Sequence, residues 1–108
     1  LGWLRRRGMR ALLDMHALPG GQVGGQSFTG KLVPTAGFFL DPRSYERGMG
    51  SLCALAKLMR FYEAEPETAG TVMGLELANE ADWAFWDTSP GIRELYARMV
   101  PELRRLLP

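Results

Sequence analysis

Two short stretches of this chain gather the side chains that can move protons or hold a polar ligand. One is Asp14-Met15-His16, opening onto Gly20, Gly21, Gln22 and Gln26; the other is Glu76-Leu77-Ala78-Asn79-Glu80, running on into Asp82, Trp83, Phe85, Trp86 and Asp87. A carboxyl group in reach of a substrate can act as general acid or base, and imidazole is the side chain whose charge changes near neutral pH. Acid–base chemistry on a neutral substrate is therefore the chemistry these residues can do. Each also has a plainer reading. Glu80 can be a solvated loop carboxylate, His16 a structural histidine held by Asp14, and Trp83, Phe85 and Trp86 buried packing. Gln22 and Gln26 can bond a ligand's hydroxyls or simply solvate a turn.

Other chemistries find little support. The single Cys53 rules out an intramolecular disulfide and any cysteine-based metal site, and its place in an apolar helical pattern marks it as a buried thiol. The segment GGQVGG is not followed by the lysine that a phosphate loop requires. A formal net charge of +1 gives no pull toward nucleic acid or an anionic membrane. The run Arg5-Arg6-Arg7 reads as a solvated last helical turn. No transmembrane segment and no secretory signal are visible. With 108 residues, 46% of them hydrophobic and 23% charged, the chain has the composition of one small globular unit.

The elements that must carry the two stretches follow from periodicity and punctuation. Leu1 to Arg7 followed by Gly8 reads as a helix end. Met9 to Met15 is a short apolar run, expected to be a parallel strand buried on both faces, with Asp14 and His16 on one side. Ala17 to Leu40 has no period and reads as a long functional or mobile loop. Asp41-Pro42 supplies a cap and a first-turn proline, and Met49, Leu52, Cys53, Ala56 and Met59 follow as one helical stripe. Thr71 to Ala78 is a second buried strand and Asn79 to Thr88 a loop. Ser89-Pro90 is expected to cap a last helix with Ile92, Leu95, Tyr96, Met99 and Leu103 inward, which Pro101 kinks or restarts. The order is two consecutive βα units, with both reactive stretches at the C-terminal strand ends where α/β folds place their sites. Two parallel strands cannot stand alone, and the chain is expected to be cut at both ends from a larger α/β fold that it needs in order to fold.

The strand-end segments narrow this further. ALLDMHALPGGQ resembles the third-strand signature of glycoside hydrolase family 5, which has a Leu-Asp-Leu-His-Gly-x-Pro-Gly core. VMGLELANE resembles the fourth-strand signature of that family, which ends in Asn-Glu. This chain departs from the pattern at Ala17, where the family has glycine, and at Ala81, where it has proline. The resemblance runs from Met9 to Leu107. It implies that residues 1–108 are a partial catalytic domain, a fragment of a (β/α)8 TIM barrel covering about a quarter of the eight units. It is similar to the family's cellulase and exo-β-1,3-glucanase branches.

Carried over by position, the resemblance implies Glu80 as the catalytic acid/base. Asn79 would donate to the sugar 2-hydroxyl and His16 would line the subsite beside the scissile bond. Aromatics clustered beside such a carboxylate are also what sugar rings stack upon, so Trp83 and Trp86 are expected to bind substrate, with Glu80 partly buried beneath their loop. The implied reaction is retaining hydrolysis of a β-glucan or related β-linked polysaccharide, with no metal and no cofactor. The nucleophile would lie on a strand outside this chain, and the fragment alone would be inactive. Retaining enzymes hold their two carboxyl groups about 5–5.5 Å apart. Four residues of extended strand, at roughly 3.3 Å each, would separate Glu76 from Glu80 by about 13 Å, so Glu76 is not the second carboxylate. The carbohydrate is the expected partner, and many family members are secreted. A second class of function stays open: a non-catalytic carbohydrate-binding or scaffold remnant of such a barrel.

Overall fold

A computed structural model describes residues 1–107. Helix α1 (Gly2–Arg5) leads through Gly8, whose φ of 65° makes the left-handed turn, into strand β1 (Ala11–Asp14). The segment after β1 contains a 3-10 turn at Ser27–Thr29 and the single helical turn α2 (Gly37–Leu40). Helix α3 (Pro42–Ala64), strand β2 (Val72–Glu76), a 3-10 turn at Trp83–Phe85 and helix α4 (Ile92–Leu106) complete the order. β1 and β2 pair in parallel, with Leu12 beside Gly74, Leu13 beside Leu75 and Asp14 beside Glu76, after an irregularity at Ala11/Leu12. Arg5 donates to the Ala69 carbonyl, which ties α1 to the chain entering β2.

α3 begins where the sequence says it must. The Asp41 carboxylate accepts from the backbone N–H groups of Arg43 and Ser44, both at 3.1 Å, and from the Ser44 hydroxyl at 2.7 Å. These bonds satisfy donors that the first helical turn leaves open and hold the Asp41 carboxyl below its usual range. Met49, Leu52, Ala56 and Met59 form the buried stripe, while Cys53 is half-buried rather than enclosed. α4 buries Ile92, Leu95, Met99 and Leu103 against α3, but Tyr96 lies at the margin, 40% exposed. Its cap is Gly91, not Ser89-Pro90; Ser89 instead donates to Glu94 at 2.8 Å. Gly91 fits because a Cβ there would collide with the carbonyls of Phe85 and Thr88. Pro101 neither breaks nor restarts the helix: it sits on the exposed side, where its missing N–H is not a buried loss.

The core lies off the strands. Its buried members come from α3, α4, α2 with the preceding Ala36, and the residues past the strand ends, Leu18, Leu77 and Ala78, whereas neither strand contributes a buried residue. The strands were expected to be covered on both faces; here Leu12 is 59% and Met73 66% exposed. They are also shorter than expected, since apolar composition reports burial and not pairing. The segment from Ala17 to Leu40, read from the sequence as a functional or mobile loop, is packed over much of its length. Phe38 and Phe39 meet edge-on at 5.0 Å, Phe38 lies 5.1 Å from Tyr45, and Leu18 and Ala36 are enclosed with them. The result is a slab of 43 × 28 × 19 Å, one sheet layer and one helix layer thick.

Candidate active site

Both reactive stretches stand at the C-terminal end of the strand pair, and the pairing brings them together. Met15 donates to the Glu76 carbonyl at 3.0 Å and Asn79 donates back to the Met15 carbonyl at 3.3 Å, extending the contact beyond the last strand residues. The end of β1 therefore lies beside the turn that carries Asn79 and Glu80.

On the first stretch, His16 Nδ1 lies 2.6 Å from the Asp14 carboxylate. The pair shares one strand face, as alternation requires, and both side chains keep access to solvent. The imidazole also tilts against Phe28, with ring centres 5.3 Å apart. With Nδ1 engaged and the ring braced, Nε2 is the nitrogen left for a ligand. The Asp14 contact thus orients His16 without using it up.

On the second stretch, β2 ends at Glu76 and the chain turns at Asn79–Glu80. The extended-chain separation between Glu76 and Glu80 does not hold, because the backbone is not extended past Glu76. Glu80 has a φ of 43° and is alone among the described non-glycine residues in taking a positive φ. A residue with a Cβ in that region costs roughly 1–3 kcal/mol and persists only where its surroundings determine it. Glu80 is exposed, not sheltered beneath the tryptophans. Asn79 is partly exposed beside it.

The aromatic trio divides by role. Phe85 stacks on Phe39 at 4.9 Å and 15° and belongs to the packing. Trp83 and Trp86 stack on each other at 4.8 Å and 17°, with Trp83 72% and Trp86 37% exposed. Buried packing is thus correct for Phe85 and wrong for the two tryptophans, which present an outward aromatic surface. The 3-10 turn that arranges them is started by Asp82, whose carboxylate accepts from the Ala84 N–H at 3.0 Å.

The role of one residue of this region is not the one its sequence context suggests. Gln22 is fully buried, neither solvating a turn nor facing a ligand. Its Nε2 donates to the carbonyls of His16 at 2.9 Å and Asn79 at 2.8 Å, while its Oε1 accepts from the Leu18 N–H at 3.0 Å. Nothing local marks it, because its partners lie on two separate strand ends. Gln26, by contrast, is exposed. Among the described residues no group of three or more His, Cys, Asp or Glu side chains is placed to hold a metal ion, and no helix is long and apolar enough to cross a membrane.

Comparison with known proteins gives a partial match. Over 48 residues, 44% of this chain, the sequence is 40% identical to the probable glucan endo-1,6-beta-glucosidase B of Neosartorya fischeri. It is 38% identical over 48 residues to the probable glucan endo-1,6-beta-glucosidase B of Aspergillus flavus, and 40% identical over 48 residues to the glucan endo-1,6-beta-glucosidase B of Emericella nidulans. All three relatives are named as glucosidases. The match covers 12% of the length of each relative. No family model and no solved structure matches the chain.

Proposed function

We propose that this chain is part of a family 5-like, (β/α)8-barrel glycoside hydrolase that cleaves a β-glucan or related β-linked polysaccharide with retention, Glu80 serving as acid/base. The observation that carries the reading is the backbone of Glu80. It is a solvent-facing carboxylate held in a strained left-handed turn past the C-terminal end of a parallel strand, on a segment that is hydrogen-bonded to the end of the strand leading to His16. Backbone strain held at a strand end, where α/β folds place their sites, supports reading Glu80 as functional. The glucosidase names of the partial relatives agree with the substrate class.

In the proposed cycle the Glu80 carboxyl gives its proton to the glycosidic oxygen as the C1–O bond breaks. A carboxylate from elsewhere in the protein attacks C1 from the opposite face and forms a glycosyl ester. Water then attacks C1, its proton passes to the Glu80 carboxylate, and the ester bond breaks to release the sugar with its original configuration. Three of the neighbouring carboxylates have partners of their own: Asp14 with His16, Asp82 with the Ala84 N–H, Asp87 with Arg93 at 2.9 Å. The nucleophile is sought outside this chain because the resemblance to family 5 implies a glutamate on another strand of the barrel. His16 and Asn79 would bond sugar hydroxyls, and the Trp83/Trp86 pair would offer its open face to the apolar side of a ring.

The test is Glu80→Ala in the full-length protein. Hydrolysis of a natural β-glucan should fall by roughly 10²–10⁴-fold, the usual contribution of a positioned proton donor. An activated aryl glycoside should still glycosylate the enzyme quickly, because its leaving group needs no proton, and the ester should then accumulate. Azide should restore turnover and give a glycosyl azide of retained configuration. An inverted azide product would make Glu80 the nucleophile, and full activity of the variant on the glucan would overturn the acid/base reading; a wild-type full-length protein that binds the glucan without cleaving it would be the carbohydrate-binding remnant.

A further inference from the structure

We infer that Gln22 is the positioning residue of the site, holding the backbone on both sides of Glu80; the inference rests on Glu80 being the acid/base. The Asn79 carbonyl and the Glu80 N–H belong to one peptide plane, and rotation of that plane sets the φ of Glu80. The Gln22 Nε2 group fixes the carbonyl of that plane at 2.8 Å. Two residues later the main chain is fixed again, by the Asp82 N–H donating to the Gln22 backbone carbonyl at 2.9 Å. Glu80 is thus bracketed by two bonds to a single residue, one from its side chain and one from its main chain.

The same amide sets the distance across the site. Both N–H groups of Nε2 are spent on strand-end carbonyls, of His16 and of Asn79, and Oε1 holds the Leu18 N–H in the segment that leaves β1. Gln22 therefore couples the residue bearing the imidazole to the residue preceding the carboxyl. The side chain is 0% exposed, so water does not compete for these bonds. Its place is fixed by Gly20 and Gly21, whose φ values of 81° and 78° fold the chain back so that Gln22 points inward. No other side chain of the described residues reaches both strand ends through its hydrogen bonds.

Gln22→Met, close in shape but without the amide, isolates this role in the full-length protein. The readouts are the pre-steady-state burst with an activated aryl glycoside, which reports glycosylation without proton donation, and steady-state hydrolysis of a natural β-glucan, which needs Glu80 twice. A carboxyl displaced by about 1 Å loses roughly 10²-fold in rate, so glucan hydrolysis should fall by that order while the burst is largely kept. Azide should recover part of the aryl turnover. If both activities fall in the same proportion as the folded fraction measured by thermal melting, Gln22 is merely structural and the inference is overturned. Should the methionine variant not fold, Gln22→Asn keeps an amide too short to reach both carbonyls and is read by the same two rates. Glu80→Ala run alongside separates the two ideas. If it leaves glucan hydrolysis intact, the acid/base reading has failed; if it abolishes it while the Gln22 variants behave as wild type, only the positioning role has failed.

Discussion

The strand pair and the layer that caps its C-terminal end are built by opposite means. β1 and β2 are aligned by backbone pairing and contribute no buried residue, with Leu12 and Met73 mostly exposed. The cap has almost no regular structure, yet it holds Leu18, Gln22, Ala36, Phe38, Phe39, Leu77 and Ala78 in near-complete burial. The lesson is that regularity and rigidity are separate properties. What fixes the candidate site is the irregular part, through an aromatic cluster and a buried amide, and the strands supply only direction.

The largest expected effect comes from cutting into the cap. Phe38→Ala in the full-length protein should cost roughly 3–5 kcal/mol by denaturant unfolding, because Phe38 is fully enclosed among Phe39, Tyr45 and Gly48. Its counterpart on the strands, Leu12→Ala, sharpens the comparison. On the surface seen here it should cost under about 0.5 kcal/mol; in the proposed barrel neighbouring strands would cover Leu12, and the cost should rise to about 2 kcal/mol or more. The second value is the expected one, and the first would count against the barrel.

Tyr45 gives the next effect, and it is pH-dependent. Its hydroxyl donates to the Gly91 carbonyl at 3.0 Å, and burial, together with the Glu94 carboxylate, pushes the phenol up from 10.0 to about 12. The folded state therefore keeps the proton after the unfolded chain has lost it. Stability from this group is full below pH 10 and falls as pH rises toward 12, by roughly 2–3 kcal/mol in all. Tyr45→Phe should cost about 1 kcal/mol at neutral pH and should flatten the extra alkaline loss. Unfolding curves of the two proteins between pH 8 and about 12 make the check.

The smallest effect on stability belongs to Trp83. Being mostly exposed, Trp83→Ala should change unfolding free energy by less than about 0.5 kcal/mol. It should nonetheless raise KM for a glucan several-fold, with kcat little changed, if the tryptophan pair binds sugar away from the reacting bond. A large loss of stability would move Trp83 into the packing beside Phe85.

Much of this organisation was legible in the sequence, and the failures share a cause. Asp41-Pro42 marked the start of α3 because capping is local chemistry, and the helical stripe followed because a period of 3.6 is visible in types alone. The ends of β1 and β2 were drawn too long: Leu77 and Ala78 are apolar because they are buried, not because they are paired. The packing of the segment from Ala17 to Leu40 was hidden because irregular packing has no period. Glu80 could be singled out by its Asn-Glu context, but not its backbone strain, and Gln22 could not be ranked at all. A glutamine in a glycine-rich stretch reads the same whether solvated or buried until its distant partners are known.

The bond from Gln22 to the Asn79 carbonyl joins residues 57 positions apart, with all of α3 between them. Such a contact can close only after the intervening chain has been laid down and its loop entropy met. The turn at Glu80 then takes its final shape only once the ends of β1 and β2 have come together. A chain whose crossover is incomplete has both chemical groups and neither of their positions. In the proposed enzyme, competence to cut sugar thus belongs to the joined strand ends and to neither stretch alone.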